Sequence, residues 1–101
     1  MPKAIELVFE WDQNKNQVNI KKHGIDFTIA VQVFQNQYLA YESSRNNEIR
    51  HVAVGHVDGK IIAVIYTECH EKIRIISARH AWEKEKRAYR ALHSRYPSRT
   101  H

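Results

Sequence analysis

Lys72–Arg90 is the stretch best equipped for chemistry on a phosphate. An apolar, strand-like run, Ile73-Arg74-Ile75-Ile76-Ser77-Ala78-Arg79, leads straight into a segment bearing Lys84, Lys86, Arg87 and Arg90. A guanidinium stays charged at any physiological pH and can grip a phosphate through two parallel N–H bonds, so Arg74 and Arg79 are candidate phosphate ligands. The positive charge is concentrated in this part of the chain. Residues 71–101 carry nine Lys/Arg against three acids, whereas residues 1–70 carry seven against eight. A local field acts on a partner as well as on solubility. The competing reading of either arginine is a solvated side chain or an ion pair with Glu68 or Glu71.

Lys22-His23-Gly24 is the second candidate group. At a helix C-terminus His23 meets the negative end of the dipole, and a histidine can pass protons in phosphodiester cleavage. The alternative is a helix-terminal histidine that only bonds carbonyls. His80 carries the same ambiguity, closer to the basic segment. Metal chemistry has little footing: His51, His56, Cys69 and His70 lack the paired short spacings of a zinc site. With three glycines and no phosphate-binding loop, no serine in a nucleophile elbow and Cys69 read as a small hydrophobe, no other catalytic motif emerges. Tyr66, Trp82 and Tyr89 read as core by spacing, with Tyr66 able to stack a base if its strand face is open.

These residues need a scaffold, and the pattern supplies one. Ile5, Leu7, Phe9 and Trp11 alternate within 4–11, as in a half-buried strand. Asp12 is a good N-cap for a polar helix through Lys22, whose thin apolar face is Val18 and Ile20, and Gly24 provides a left-handed stop. Asp26 caps a second helix, with Phe27, Ala30, Val31 and Phe34 as its core stripe. Strands are expected at Tyr38–Glu42, Arg50–His56, Lys60–Glu68 and Lys72–Arg79. Ser43–Asn47 reads as a polar loop, and tight turns lie near Asp58-Gly59 and Cys69-His70-Glu71. Short connections make these strands antiparallel neighbours, and the apolar run Ile61–Tyr66 belongs at the sheet centre. Along the last strand Ile73, Ile75, Ser77 and Arg79 share one face, with Arg74 and Ile76 on the other unless a bulge shifts the register. A final helix, about Ala81–Ser94, puts Trp82, Tyr89, Leu92 and Tyr96 on one side and Lys84, Arg87 and Arg90 on the other, before Pro97 and a frayed tail.

The sum is an α+β fold: an N-terminal strand and two helices, an antiparallel sheet of four to five strands and a C-terminal helix. At 101 residues, with 43% hydrophobic and 27% charged side chains, one domain over 1–101 is expected, with 91–101 a basic, partly frayed tail. The single cysteine fits a reducing compartment. No signal peptide or membrane-length apolar run is read, so a cytoplasmic location without membrane association is expected.

Together these pieces resemble the BrnT family, toxins of type II toxin–antitoxin systems. The match is carried by Phe9-Glu10-Trp11-Asp12, Lys15, Asn19, Lys22-His23-Gly24-Ile25, Phe27, Ala30, Val33-Phe34 and Tyr66-Thr67-Glu68. Above all it rests on Ile73–Arg79, with Glu85 and Tyr89 behind it. Three departures stand out: Gln35-Asn36-Gln37 in place of an Asp-Pro turn, His80 and Trp82 in place of Lys and Thr, and the basic end beyond Tyr89. The resemblance implies a RelE-like fold and metal-independent endoribonuclease activity that needs no cofactor. It further implies inhibition of translation and growth, and neutralisation by a ribbon-helix-helix antitoxin that alone contacts DNA.

On that reading Arg74 and Arg79 would stabilise the phosphorane, His23 would transfer a proton, and Lys22, Arg50, Lys84 and Arg87 would hold the RNA backbone. Glu42, Glu68 and His80 are all eligible as the general base. The alternative is a non-catalytic basic module that binds nucleic acid or protein. A further possibility, compatible with catalysis, is that the basic helix docks an acidic segment of the antitoxin.

Overall fold

The computed structural model describes residues 7–95, and their side chains as far as Leu92. The expectations for Ala4, Ile5, Tyr96, Pro97 and the tail lie outside the described residues. Five strands form one sheet: β1 (Val8–Glu10), β2 (Leu39–Arg45), β3 (Glu48–Val57), β4 (Lys60–Cys69) and β5 (Lys72–His80). Their spatial order is β1-β5-β4-β3-β2, so the apolar β4 is central as expected. β2 to β5 form an antiparallel meander, and β1 joins it by pairing parallel to β5. The helices are α1 (Gln13–His23), α2 (Phe27–Ala30), which runs into a 3-10 turn over Val31–Gln35, and α3 (Glu83–Arg95).

Local chemistry sets the ends of α1. The Asp12 carboxylate accepts from the amides of Asn14 at 2.8 Å and Lys15 at 3.3 Å, and Gly24 closes the helix at φ 73°. What holds α1 in place differs from expectation. Val18 is 62% exposed, and the buried residues are Asn16 and Asn19. Asn16 accepts from the Phe27 amide at 2.9 Å and donates to Asp26 at 3.1 Å, fastening α1 to the start of α2. Asn19 accepts from the Ala78 amide at 3.1 Å and donates to the Ala78 and Ile25 carbonyls, both at 2.9 Å. Because β1 reaches only as far as Arg74 along β5, the rest of that edge is open, and the Asn19 amide closes it as a neighbouring strand would.

In the second helix Phe27, Ala30 and Phe34 are buried as expected, and the tightening to 3-10 geometry adds Val33 while leaving Val31 only half-buried. Three residues per turn favours i+3 over i+4. The turn presses on β3 at Gly55, where a Cβ would lie 3.1 Å from Val33 Cγ1. The expected loop Ser43–Asn47 is instead mostly strand. Asn46 and Asn47 adopt φ of 52° and 63°, a two-residue turn that asparagine tolerates, so β2 and β3 continue up to it.

The sheet separates two clusters. Phe27, Ala30, Val33, Phe34, Val64, Tyr66, Ile73, Ile75 and Ala78 belong to the core beneath α1 and α2. Val52, Val54, Ala63, Ala81 and Tyr89 form a smaller cluster beneath α3. Tyr66 is thus buried against Phe34, and no open face lets it stack a base. Burial, with Tyr38 and Glu68 adding to it, pushes its hydroxyl up to about 12.

Candidate functional site

One extra residue in β5 decides which way its cations face. Ile65 pairs with Ser77 and Tyr66 with Ile75, so Ile76 is the unpaired residue of a bulge. Ile73, Ile75 and Ala78 therefore face the large core, while Arg74, Ser77 and Arg79 share the α3 face. This corrects the regular alternation that grouped Arg79 with Ile73 and Ile75. Strict period two cannot reveal a bulge, because the shift depends on the partner strand.

Arg79 meets Glu85, a residue that local pattern did not mark as functional. Glu85 is 3% exposed and accepts from Arg79 Nη1 at 2.8 Å and Nη2 at 2.9 Å. It also accepts from the Trp82 amide at 2.8 Å and from the Tyr41 hydroxyl. The contact with Trp82 is half of a capping box at the start of α3, a local signal beside the family resemblance that names the residue. Burial opposes the Glu85 charge, but Arg79, Tyr41 and the Trp82 amide outweigh it and hold the carboxyl down at about 2. Burial likewise opposes the Arg79 charge, and Glu85 overrides it, raising the guanidinium further. Glu85 engages both terminal nitrogens of Arg79, and Nη1 also reaches the His80 carbonyl at 3.3 Å. The guanidinium also lies 3.7 Å from the ring centroid of Trp82.

Around this pair the β2–β3 hairpin, β5 and the start of α3 enclose a cleft of about 430 Å³. Arg45, Arg50, Arg79 and Lys84 line it, with Tyr41 and Ser77 between them. Arg50 is paired with Glu48 at 3.1 Å, whereas Arg45 and Lys84 form no ion pair among the described residues. Trp82, expected in the core, is 53% exposed, because it caps α3 instead of lying within it. Lys84 stands 5.8 Å from its ring.

Lys22 and His23 line an adjoining groove of about 300 Å³ with Lys15, Asn19 and Ile76. Ser77 lines both concavities, so they meet there. Of the residues singled out in the sequence, the cleft brings together Arg79, Arg50 and Lys84, and the groove holds Lys22 and His23. Arg74 stands apart. It pairs with Glu10 at 3.2 Å, where β1 joins β5, and does not line the cleft. Arg87 is exposed on α3 and does not line it either. Nor do the three candidate bases: Glu42 alternates away from Tyr41 and Ser43, Glu68 lies near the β4–β5 turn, and His80 lines a different pocket. Arg45 was not foreseen, because its strand was read as a loop.

Comparison with known proteins places this architecture. A family model described as the ribonuclease toxin BrnT of type II toxin–antitoxin systems matches residues 11–85. The 1.1 Å crystal structure of the Brucella abortus ribonuclease toxin BrnT matches with a TM-score of 0.64 and 31% identity, over 77% of this chain and 100% of that one. A search of curated proteins finds no match. The matched span takes in α1, all four strands of the meander and the Arg79–Glu85 pair; the chain belongs to the BrnT family, ribonuclease toxins of type II toxin–antitoxin systems.

Proposed function

We propose that this chain cleaves RNA internally without a metal ion, with the reacting phosphate seated near Ser77. The observation that carries the proposal is the meeting of two cation-lined concavities at that residue. In the reaction a base removes the 2′-hydroxyl proton, and the oxygen attacks the adjacent phosphorus in line. An acid protonates the departing 5′-oxygen, leaving a 2′,3′-cyclic phosphate and a 5′-hydroxyl end. Charge gathers on the phosphorane oxygens, where fixed donors stabilise it most.

His23 passes a proton from the groove side. The N–H bonds of Arg79 left over by Glu85 face the phosphorane from the cleft side. Lys22, Arg45, Arg50 and Lys84 hold the backbone, and the exposed ring of Trp82 stacks a base. Arg74, engaged by Glu10 outside the cleft, serves as a backbone contact and not as a catalytic group. Growth arrest through loss of translated RNA is the expected result of such an activity in the cytoplasm. The neutralising antitoxin is taken to be of the ribbon-helix-helix type, as the family resemblance implies, and it carries any DNA contact.

A second reading rests on a specific observation: Arg74 and Arg79 each already hold a carboxylate. Guanidiniums engaged in this way stabilise a phosphorane less well, while Arg45 and Lys84, without ion pairs among the described residues, still suit a module that grips RNA without cutting it. Incubation of RNA with the chain in the presence of a chelator separates the two. Cyclic-phosphate ends are expected, with His23→Gln and Arg79→Gln each slowing cleavage on the order of a hundredfold while far-UV circular dichroism stays unchanged. Intact RNA, or cutting only after metal is added, overturns the proposed chemistry.

A further inference from the structure

A second basic cavity lies on the other side of α3. It encloses about 290 Å³ and is lined by His56 of β3, Lys60 and Ile61 of β4, His80 of β5, and Lys86 and Arg90 of α3. Five nitrogen-bearing residues from four elements thus border one space, and no carboxylate among the described residues lines it. The one carboxylate paired with a lining cation among the described residues is Glu83, which meets Lys86 at 3.3 Å and is itself largely exposed. Lys60 and Arg90 form no ion pair among the described residues. Nearby, the His56 ring lies 6.5 Å from that of Tyr89. Convergent like charges repel each other, and an anion in the cavity relieves that repulsion.

We propose that this cavity binds a backbone phosphate of the RNA strand whose reacting phosphate lies in the cleft. The proposal rests on the ribonuclease reading for the identity of the strand. Three features favour RNA over a protein partner. The cavity offers cations but lacks the aromatic anchor that carries protein interfaces, Ile61 being its one large apolar side chain. His56 and Ile61 share the cleft's sheet face, and Lys60 and His80 border the cavity from the strand ends. Ile61 here and Ile65 in the cleft are four residues apart on β4, about 13 Å along the strand, so one chain can lie across the start of α3 and reach both. A basic track with a stacking ring beside it is how single strands are held without base readout, and Trp82 is exposed at that crossing.

The test uses the full chain with an uncleavable 2′-O-methyl oligonucleotide, so binding is read even if no cleavage occurs. Lys60→Gln, at the exposed β3–β4 turn, should lower affinity several-fold. The slope of log affinity against log salt should also shrink, by about 0.7 for a lost single-strand phosphate contact. Lys60→Arg should restore both, and Arg90→Gln should behave like Lys60→Gln. With cleavable RNA the same variants should raise KM and leave kcat unchanged. Inorganic phosphate should shift the imidazole resonances of His56 and His80 in the wild type and not in Lys60→Gln. An unchanged salt slope in both glutamine variants overturns the proposal. So does weakened binding of the cognate antitoxin with RNA affinity unaltered, which would make the cavity a protein-docking site.

Discussion

The two faces of the sheet are built on different physical terms. Beneath α1 and α2 the cohesion is apolar, with Phe27, Val33, Val64 and Ile75 at most 1% exposed. Beneath α3 the apolar cluster has five buried members among the described residues, and a buried carboxylate stands beside it to tie α3, β2 and β5 together. The first arrangement gives rigidity, with Lys22 and His23 placed at its rim on α1. The second leaves polar groups and cations facing a cleft, and it encloses an ion pair whose desolvation must be offset by geometry. Apolar cohesion is thus concentrated on one surface of the sheet, and the buried ion pair and the cation-lined cleft on the other.

The largest expected effect lies on the apolar face. Phe27→Ala should cost about 4 kcal/mol in urea unfolding, from lost transfer energy and the cavity left behind. Next comes the opposite face: Glu85→Gln, which leaves Arg79 enclosed without its carboxylate, should cost about 3 kcal/mol. The same variant probes the polar face through pH. The Glu85 carboxyl is lowered in the folded state from 4.5 to about 2, so its contribution is complete above 4.5 and fades as pH falls toward 2. Acid titrations of stability should be flatter in Glu85→Gln than in the wild type across that window, and equal slopes would count against the network. Asn19→Ala should cost about 2 kcal/mol, because it leaves the Ala78 amide and carbonyl of β5 without partners. Smallest is Arg74→Gln, an exposed pair whose loss should change stability by less than about 1 kcal/mol.

Much of the frame was legible from residue order. Asp12 and Gly24 bracketed α1, Asp26 started α2, and the double-faced apolar run at Ile61–Tyr66 marked the central strand, because caps and periodicity are local signals. What escaped depended on distant partners. Asn19 is buried through Ala78, fifty-nine residues later, so it was marked only by the family resemblance while Val18 read as the apolar face. Glu85 entered only through the family resemblance, without a role, because Tyr41, which bonds it, lies forty-four residues earlier. Trp82 was assigned by helical spacing, yet it precedes the first turn of α3 and faces outward. The cations at Arg50, Arg79 and Lys84 were found because charge type needs no geometry; their grouping into a cleft did need it.

The supernumerary Ile76 gives β5 one residue of slack that its neighbour β4 does not have. Excising it would straighten the strand while every other rung of the β4–β5 ladder keeps its present partner, and the guanidinium would stay on the surface it already occupies. Excising Val64 from the middle of β4 has no such reserve: one flank of that strand must turn inside out, sending greasy side chains to water. Shortening by one residue should therefore be survivable in one strand and ruinous in the strand beside it.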